Sequence, residues 1–250
     1  MIRAVSLTLA LMLASASAHA AQPGPAIATA VADPSRPASD RDRDAERKPA
    51  EMLAFAGVKP GMVVIDMLPG GGYFTRLFSD VVGPTGKVIA YVPDEMLAGH
   101  PKALDGAKAV AADPAHQNVE ALHDPALAPG PANIADVVWT SQNYHDLHNI
   151  AGLDVVAFNK VLFGSIRPGG VYIVLDHSAP AGSGLADTGT LHRIDEAIVR
   201  KEVEAAGFVF DGESKLLANP ADTRMLKVFD PAIRGHTDQF ILRFRKPGGK

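Results

Sequence analysis

The chain has 250 residues, with 24 Lys and Arg against 28 Asp and Glu, a formal net charge of −4, and basic residues scattered with no run beside aromatics. That balance leaves no electrostatic footprint for a phosphate backbone, so no nucleic-acid partner is expected. The absence of cysteine excludes disulfides and a cysteine-linked lipid, and leaves stability to the core of one α/β domain.

The N-terminus reads Met1-Ile2-Arg3, then an apolar run from Ala4 to Ala14, then Ala18-His19-Ala20. A basic start, a short apolar stretch and an A-x-A site predict a secretory signal peptide over residues 1–20, cleaved after Ala20. The run is too short to span a bilayer as a helix, so a periplasmic or secreted protein without stable membrane insertion is expected. Residues 21–38, rich in Ala and carrying Pro23, Pro25, Pro34 and Pro37, lack a periodic apolar face and read as a disordered tether. The folded domain is placed at residues 39–250.

Ser39-Asp40 fits the cap of a helix through Arg41 to Lys48, with Pro49 forcing a kink before Met52, Leu53 and Phe55, and Gly57 ending it. From there strand and helix signals alternate. Met62 to Ile65 is a continuously apolar strand, as in a parallel sheet covered on both faces, and Tyr73 to Val82 follows as a helix after a glycine turn. Further strands are predicted at Lys87 to Val92, at Val119 to Leu122, where the pattern is weakest, and at Ala135 to Thr140. Val155 to Ser165 has helical spacing, and Arg167-Pro168-Gly169-Gly170 turns into the strand Val171 to Leu175. A helix over Leu191 to Ala206 closed by Gly207, a strand at Phe208 to Phe210 and a final strand at Gln239 to Phe244 complete the pattern. The last two strands are suited to antiparallel pairing across the loop from Asn219 to Gly235. The alternation implies a doubly wound, mostly parallel sheet.

The densest chemistry lies in Val64-Ile65-Asp66-Met67-Leu68-Pro69-Gly70-Gly71-Gly72-Tyr73-Phe74. An acidic residue closes a buried strand, and glycines then let a ligand approach the backbone where a helix begins. The same turn also suits a left-handed strand-to-helix connection with no ligand. Taken with Gly86 to Ala90, Asp136-Val137-Val138 and Arg167 to Gly170, in that order, the chain resembles the class I S-adenosylmethionine-dependent methyltransferases over roughly residues 40–245. The segments Arg47 to Gly61, Pro69 to Tyr73, Asn143-Tyr144-His145-Asp146-Leu147 and Asp176-His177 resemble more narrowly an exported bacterial family known as "predicted methyltransferase". The resemblance implies a seven-stranded sheet with an antiparallel C-terminal strand, S-adenosylmethionine as cofactor, and a small-molecule methyl acceptor.

Carried over, Asp66, Pro69, Gly70, Gly71, Gly72 and Tyr73 match the cofactor turn, and Asn143 sits at the neighbouring strand end. Leu68 stands where the superfamily turn has its first glycine, and Val92 or Pro93 where the ribose-binding carboxylate belongs. Asp94 and Asp124 are the nearest acids for the ribose and the adenine. A neutral side chain at the ribose position forgoes a charge-assisted hydrogen bond worth about 1.5–3 kcal/mol.

Three polar clusters follow strands and so fall at the carboxyl edge of the sheet, where open α/β folds bind ligands: Asn143 to Asp146, Asp176-His177, and Thr190 to Glu196. His145 and His177 are candidate bases with adjacent carboxylates, His192 lies in the third cluster, Arg193 has the fork geometry for a substrate carboxylate or phosphate, and Asp195 is placed to orient them. These residues also suit plainer roles, as a helix cap, loop hydrogen bonds or a solvated ion pair. His145, Asp146, His177, His192 and Asp195 offer donors for a divalent ion, but no recognised ligand spacing joins them and no metal is expected. Methyl transfer to an oxygen or nitrogen of a small molecule is the leading reading. A cofactor-free or metal-assisted lyase, isomerase or hydrolase, or a non-catalytic metabolite-binding protein, is compatible with the same scaffold. Nothing in the sequence sets an oligomeric state.

Overall fold

The computed structural model describes residues 22–248. The expected signal peptide, residues 1–20, lies outside them. Among the described residues no helix is long and apolar enough to cross a membrane.

The apolar strands assemble into one seven-stranded sheet. In chain order the elements are α1 (Pro25–Ala32), α2 (Ala38–Arg41), α3 (Asp44–Arg47), α4 (Pro49–Ala56), β1 (Val63–Met67), α5 (Tyr73–Val82), β2 (Lys87–Pro93), α6 (Asp94–Gly99) and α7 (Asp105–Ala111). They continue as β3 (Val119–Asp124), β4 (Ala135–Ser141), α8 (Tyr144–Leu147), α9 (Val155–Ser165), β5 (Ile166–His177), α10 (Glu196–Ala205), β6 (Val209–Ser214) and β7 (Gln239–Arg245). Across the sheet the order is β3-β2-β1-β4-β5-β7-β6. β1 to β5 are parallel, while β7 runs antiparallel to both β5 and β6. Crossovers run one way from β1 through β3 and the other way from β4 onward, which opens a crevice at the carboxyl ends of β1 and β4.

Burial on both faces explains the unbroken apolar runs in the central strands. Val64, Met67, Val138, Trp139, Ile173 and Val174 are buried. Trp139 meets Phe74 at 4.7 Å and Phe78 at 5.4 Å between ring centroids, fixing α5 against the sheet.

The alternation and the antiparallel end match the sequence expectations, with four differences. The stretch read as a disordered tether contains α1, which packs on α5 and α4. Pro25 occupies the first turn, where a missing N–H costs nothing, and Ile27 and Ala30 supply a narrow buried face. Arg36 then ties this segment down, donating to the Val31 carbonyl at 2.7 Å and gripping Asp44 with two bonds of 2.8 Å. Second, the expected helix through residue 48 is two single turns, because Lys48 adopts a left-handed φ of 44° before Pro49. Third, the helix expected from Leu191 begins only at Glu196. The Asp195 side chain caps it at the Ala197 N–H, and Ile194 bridges in parallel to Ser178. Fourth, β6 runs on to Ser214 through a bulge between Phe210 and Gly212.

Because α1 is part of the core, Ile27→Ala is expected to lower the unfolding free energy by about 2–4 kcal/mol, measured by urea denaturation. A tether would give no change.

Candidate active site

Asp66 is buried at the end of β1, and its carboxylate accepts the Thr75 hydroxyl at 2.6 Å. Burial pushes its carboxyl up to about 7, against the opposing pull of that hydrogen bond and of the Arg47 charge. The chain then turns at Leu68, which adopts φ 54° where a glycine would be unstrained. Its N–H donates to the Tyr91 carbonyl at 2.8 Å, and its carbonyl accepts Nδ2 of Asn143 at 2.7 Å. That bond joins the carboxyl ends of β1 and β4.

The three glycines differ in role. A Cβ on Gly70 or Gly71 would meet nothing within 4 Å, so these two present bare backbone to open space. A Cβ on Gly72 would lie 2.6 Å from Val110, so that glycine permits α7 to pack. Gly106 on α7 presses equally close, its hypothetical Cβ only 2.2 Å from the Gly70 carbonyl oxygen. Tyr73 donates its hydroxyl to Asp44 at 2.6 Å, coupling the turn to the N-terminal helices.

Gly70, Asn143, His145, His177 and His192 all line one cavity of about 1030 Å³. Leu68, Gly70, Gln142 and Asn143 also form part of a second, smaller cavity of about 280 Å³, whose other walls include Asp66, Pro69, Gly71 and Tyr73. The glycine turn and the histidine-bearing strand ends therefore face a common crevice.

Within it, Asp176 is fully buried and accepts three donors: the His145 N–H at 2.7 Å, the His177 N–H at 2.7 Å and Nδ1 of His145 at 2.9 Å. Burial opposes ionisation of both partners, yet their mutual attraction prevails. It holds the Asp176 carboxyl below the usual range and the His145 imidazole above its own. His177 is different: burial pulls it down to about 4, and its Nδ1 meets the Thr237 hydroxyl at 2.8 Å, so it is a neutral hydrogen-bonding group. Nε2 of His145 lies 3.2 Å from Nδ1 of His192. Burial and the neighbouring His145 hold His192 below the usual range.

Four predicted residues stand elsewhere. Asp94 faces away from the cavity and pairs with His123 at 2.7 Å. Asp124 is an exposed strand end whose carbonyl accepts the Tyr91 hydroxyl. Arg193 is fully buried and points into the protein, donating to Asp222 at 2.8 and 3.3 Å and to the carbonyls of Ser178 and Leu226. Asp195 caps α10 and accepts the Gly182 N–H at 2.7 Å. Neither Arg193 nor Asp195 reaches the cavity, so both are structural. The loop before β7 is likewise held by acid and arginine pairing, with Arg224 on Asp238 at 2.8 Å and Asp222 accepting the Asp238 N–H at 2.7 Å.

Arg47 was not foreseen. It lines the smaller cavity with its guanidinium 4.7 Å from the Tyr73 ring centroid and its Nη2 donating to Gln142 at 2.7 Å. Its Nε and the Ser141 hydroxyl are buried with no protein partner. Burial, and secondarily the nearby Arg43 charge, lowers the guanidinium to about 10.

No family model matches the chain. A ubiquinone/menaquinone biosynthesis C-methyltransferase UbiE of Ectopseudomonas mendocina is 32% identical over 193 residues, covering 76% of this chain and 65% of that protein. The corresponding protein of Shewanella pealeana is 29% identical over 194 residues, covering 76% and 66%. The chain thus spans just under two thirds of the length of these relatives. Among solved structures, a SAM-dependent methyltransferase from Aquifex aeolicus superposes with a TM-score of 0.56 at 19% identity, over 80% of this chain and 89% of that one. With the strand order and the glycine turn, these likenesses decide the matter. The chain has the class I methyltransferase fold. This methyltransferase fold is not tied to one reaction: the [4+2]-cyclase SpnF superposes with a TM-score of 0.59 at 17% identity, over 85% of this chain and 82% of that one.

Two tests follow from the site's electrostatics. Replacing Arg193 by Leu strands Asp222 without its buried partner and is expected to cost about 3–5 kcal/mol in urea unfolding. A solvent-facing substrate clamp would cost almost nothing. Asp66 has a folded-state pKa above its ordinary value, so its protonated form is favoured by folding. Its contribution is greatest below 3.8 and is lost as pH rises through about 7. Asp66→Asn should therefore raise the melting temperature above neutral pH, by an amount that shrinks toward zero in acid. An unchanged difference across the pH range would contradict the assignment.

Proposed function

We propose that the protein transfers the methyl group of S-adenosylmethionine to a small-molecule acceptor, with His145 as the base. The observation that carries this reading is the shared crevice, which has bare glycine backbone on one wall and a carboxylate-oriented imidazole on the other. The residues fit the cofactor's amino-acid end. Gly70 and Gly71 leave room for close approach, and the unpartnered Arg47 Nε and Ser141 hydroxyl are donors suited to its carboxylate. They fit the nucleoside end less fully, because no carboxylate from the end of β2 lines the cavity. Met96, His100 and Lys102 stand there instead, and affinity is expected to be correspondingly modest.

When bound, S-adenosylmethionine supplies a methyl group on a positively charged sulfur. Asp176 holds the Nδ1 proton of His145, which leaves Nε2 to accept a proton from the acceptor as its nucleophile attacks, and the buried carboxylate stabilises the resulting imidazolium. Asn143, bridging to Leu68, keeps the base-bearing turn in register with the glycine turn. A hydroxyl or amine acceptor meets this requirement. So does an acidic carbon, the class named by the C-methyltransferase relatives. With residues 1–20 read as a signal peptide, we place the reaction in the periplasm or outside the cell.

Calorimetry with S-adenosylmethionine and its demethylated product tests cofactor binding, and absence of heat with either at millimolar concentration rejects the proposal. Arg47→Met should weaken binding at least tenfold. His145→Gln and Asp176→Asn should leave cofactor binding intact while lowering methyl transfer to an identified acceptor by about 10²–10⁴-fold, followed by labelled-methyl incorporation.

A further inference from the structure

His145, Asp146 and His192 bring three donor atoms together on the cavity wall. Nε2 of His145 lies 3.2 Å from Nδ1 of His192 and 3.3 Å from Oδ1 of Asp146, and the latter two are 3.7 Å apart. With the Nδ1 proton of His145 directed at Asp176, Nε2 turns a lone pair toward the Asp146 carboxylate. Two acceptors at that separation repel unless a proton on Nε2 or a cation lies between them. The triangle has the dimensions of a coordination face: about a zinc ion with ligands at about 2.0–2.1 Å, tetrahedral edges measure roughly 3.3–3.4 Å.

The surroundings are those of a metal site as well. A ligating histidine characteristically donates its other ring N–H to a carboxylate, which fixes the tautomer and orients the ring, and Asp176 does this for His145. His192 is held in place from behind, its ring 4.9 Å from that of Phe229 and its backbone at φ 57°. All three side chains line the cavity. A cation on this face would have its remaining position turned toward the ligand space.

We propose that His145, Asp146 and His192 form a binding site for a first-row divalent transition cation, with zinc as the best match to its nitrogen and oxygen donors. The site does not depend on the methyl-transfer reading. It bears on that reading in one respect: the ion and a proton compete for the same Nε2 lone pair, so His145 acts as a base only in the ion-free protein. With the ion bound, an acceptor oxygen would instead meet the cation, a Lewis acid on the same wall.

The test uses the full protein, stripped with a chelator, dialysed and titrated calorimetrically with zinc, with cobalt(II) absorption as a second readout of the ligand field. One equivalent should bind. Asp146→Asn and His192→Ala, both at partly exposed positions, should each weaken binding more than tenfold with circular dichroism unchanged. Asp176→Asn should weaken it by about 10–100-fold. His123→Ala and His236→Ala, outside the cluster, should bind as the parent does. Zinc affinity and cobalt spectra that are the same in parent, Asp146→Asn and His192→Ala would overturn the site, as would a parent that takes up no ion. S-adenosylmethionine titrations on the same samples keep the two readings apart, since either can fail while the other stands.

Discussion

A single buried carboxylate holds the crevice together. Asp176 sits at the carboxyl end of β5 with no solvent exposure, a position in which an ionised group is tenable only if its lone pairs are filled. They are filled by two backbone N–H groups and one imidazole. The His145 N–H belongs to the turn after β4, so the carboxylate also fixes that turn against β5. One charge thereby determines the path of the chain, the tautomer of a ring and the direction in which Nε2 faces.

The opposite wall is built from backbone. Leu68 in a left-handed conformation aims its carbonyl at Asn143, and Gly70 and Gly71 leave their surfaces bare while Gly72 and Gly106 let α7 press close. The cost of placing Leu there is of order 1–2 kcal/mol, offset by burial of its side chain in the core, which contributes about 1.5–3 kcal/mol. Asp66 sits behind this wall with its carboxyl raised to about 7, at odds with its surroundings except for Thr75 and Arg47. Keeping a carboxyl there costs stability at neutral pH, a cost that the proposed function would explain if the group serves binding.

Much of this was legible in the sequence, because strand periodicity and the position of a residue just after a strand are local facts. Asp66, Gly70, Asn143, His145 and His177 were placed at one sheet edge by that logic, and the crevice brings them together. The failures concern partners distant in sequence. Arg193 looks like a substrate clamp until Asp222, twenty-nine residues on by position, is seen to bury with it. Asp195 lies in the same short segment, caps α10 and holds the Gly182 N–H. Ala and Pro composition concealed α1, whose buried face is no more than Ile27 and Ala30. Asp94 follows the right strand, but α6 begins there and turns its carboxylate toward His123. His145, Asp146 and His192 were legible as possible donors, but not their meeting: ligand-spacing rules look for periodicity, and these donors come together through the bend that leads into α10.

The buried Arg193 also sets how firmly one part of the cavity lining is held. By gripping Asp222, the Ser178 carbonyl and the Leu226 carbonyl at once, it bolts the segment bearing Val228 and Phe229 to the end of β5. That side of the cavity is a fixed ceiling. Another part of the lining, His100 to Lys102, is an exposed connection between α6 and α7 that carries no sheet bonding. One part of the cavity lining is thus tied to the sheet by a buried ion pair, while another hangs on a connection between two short helices.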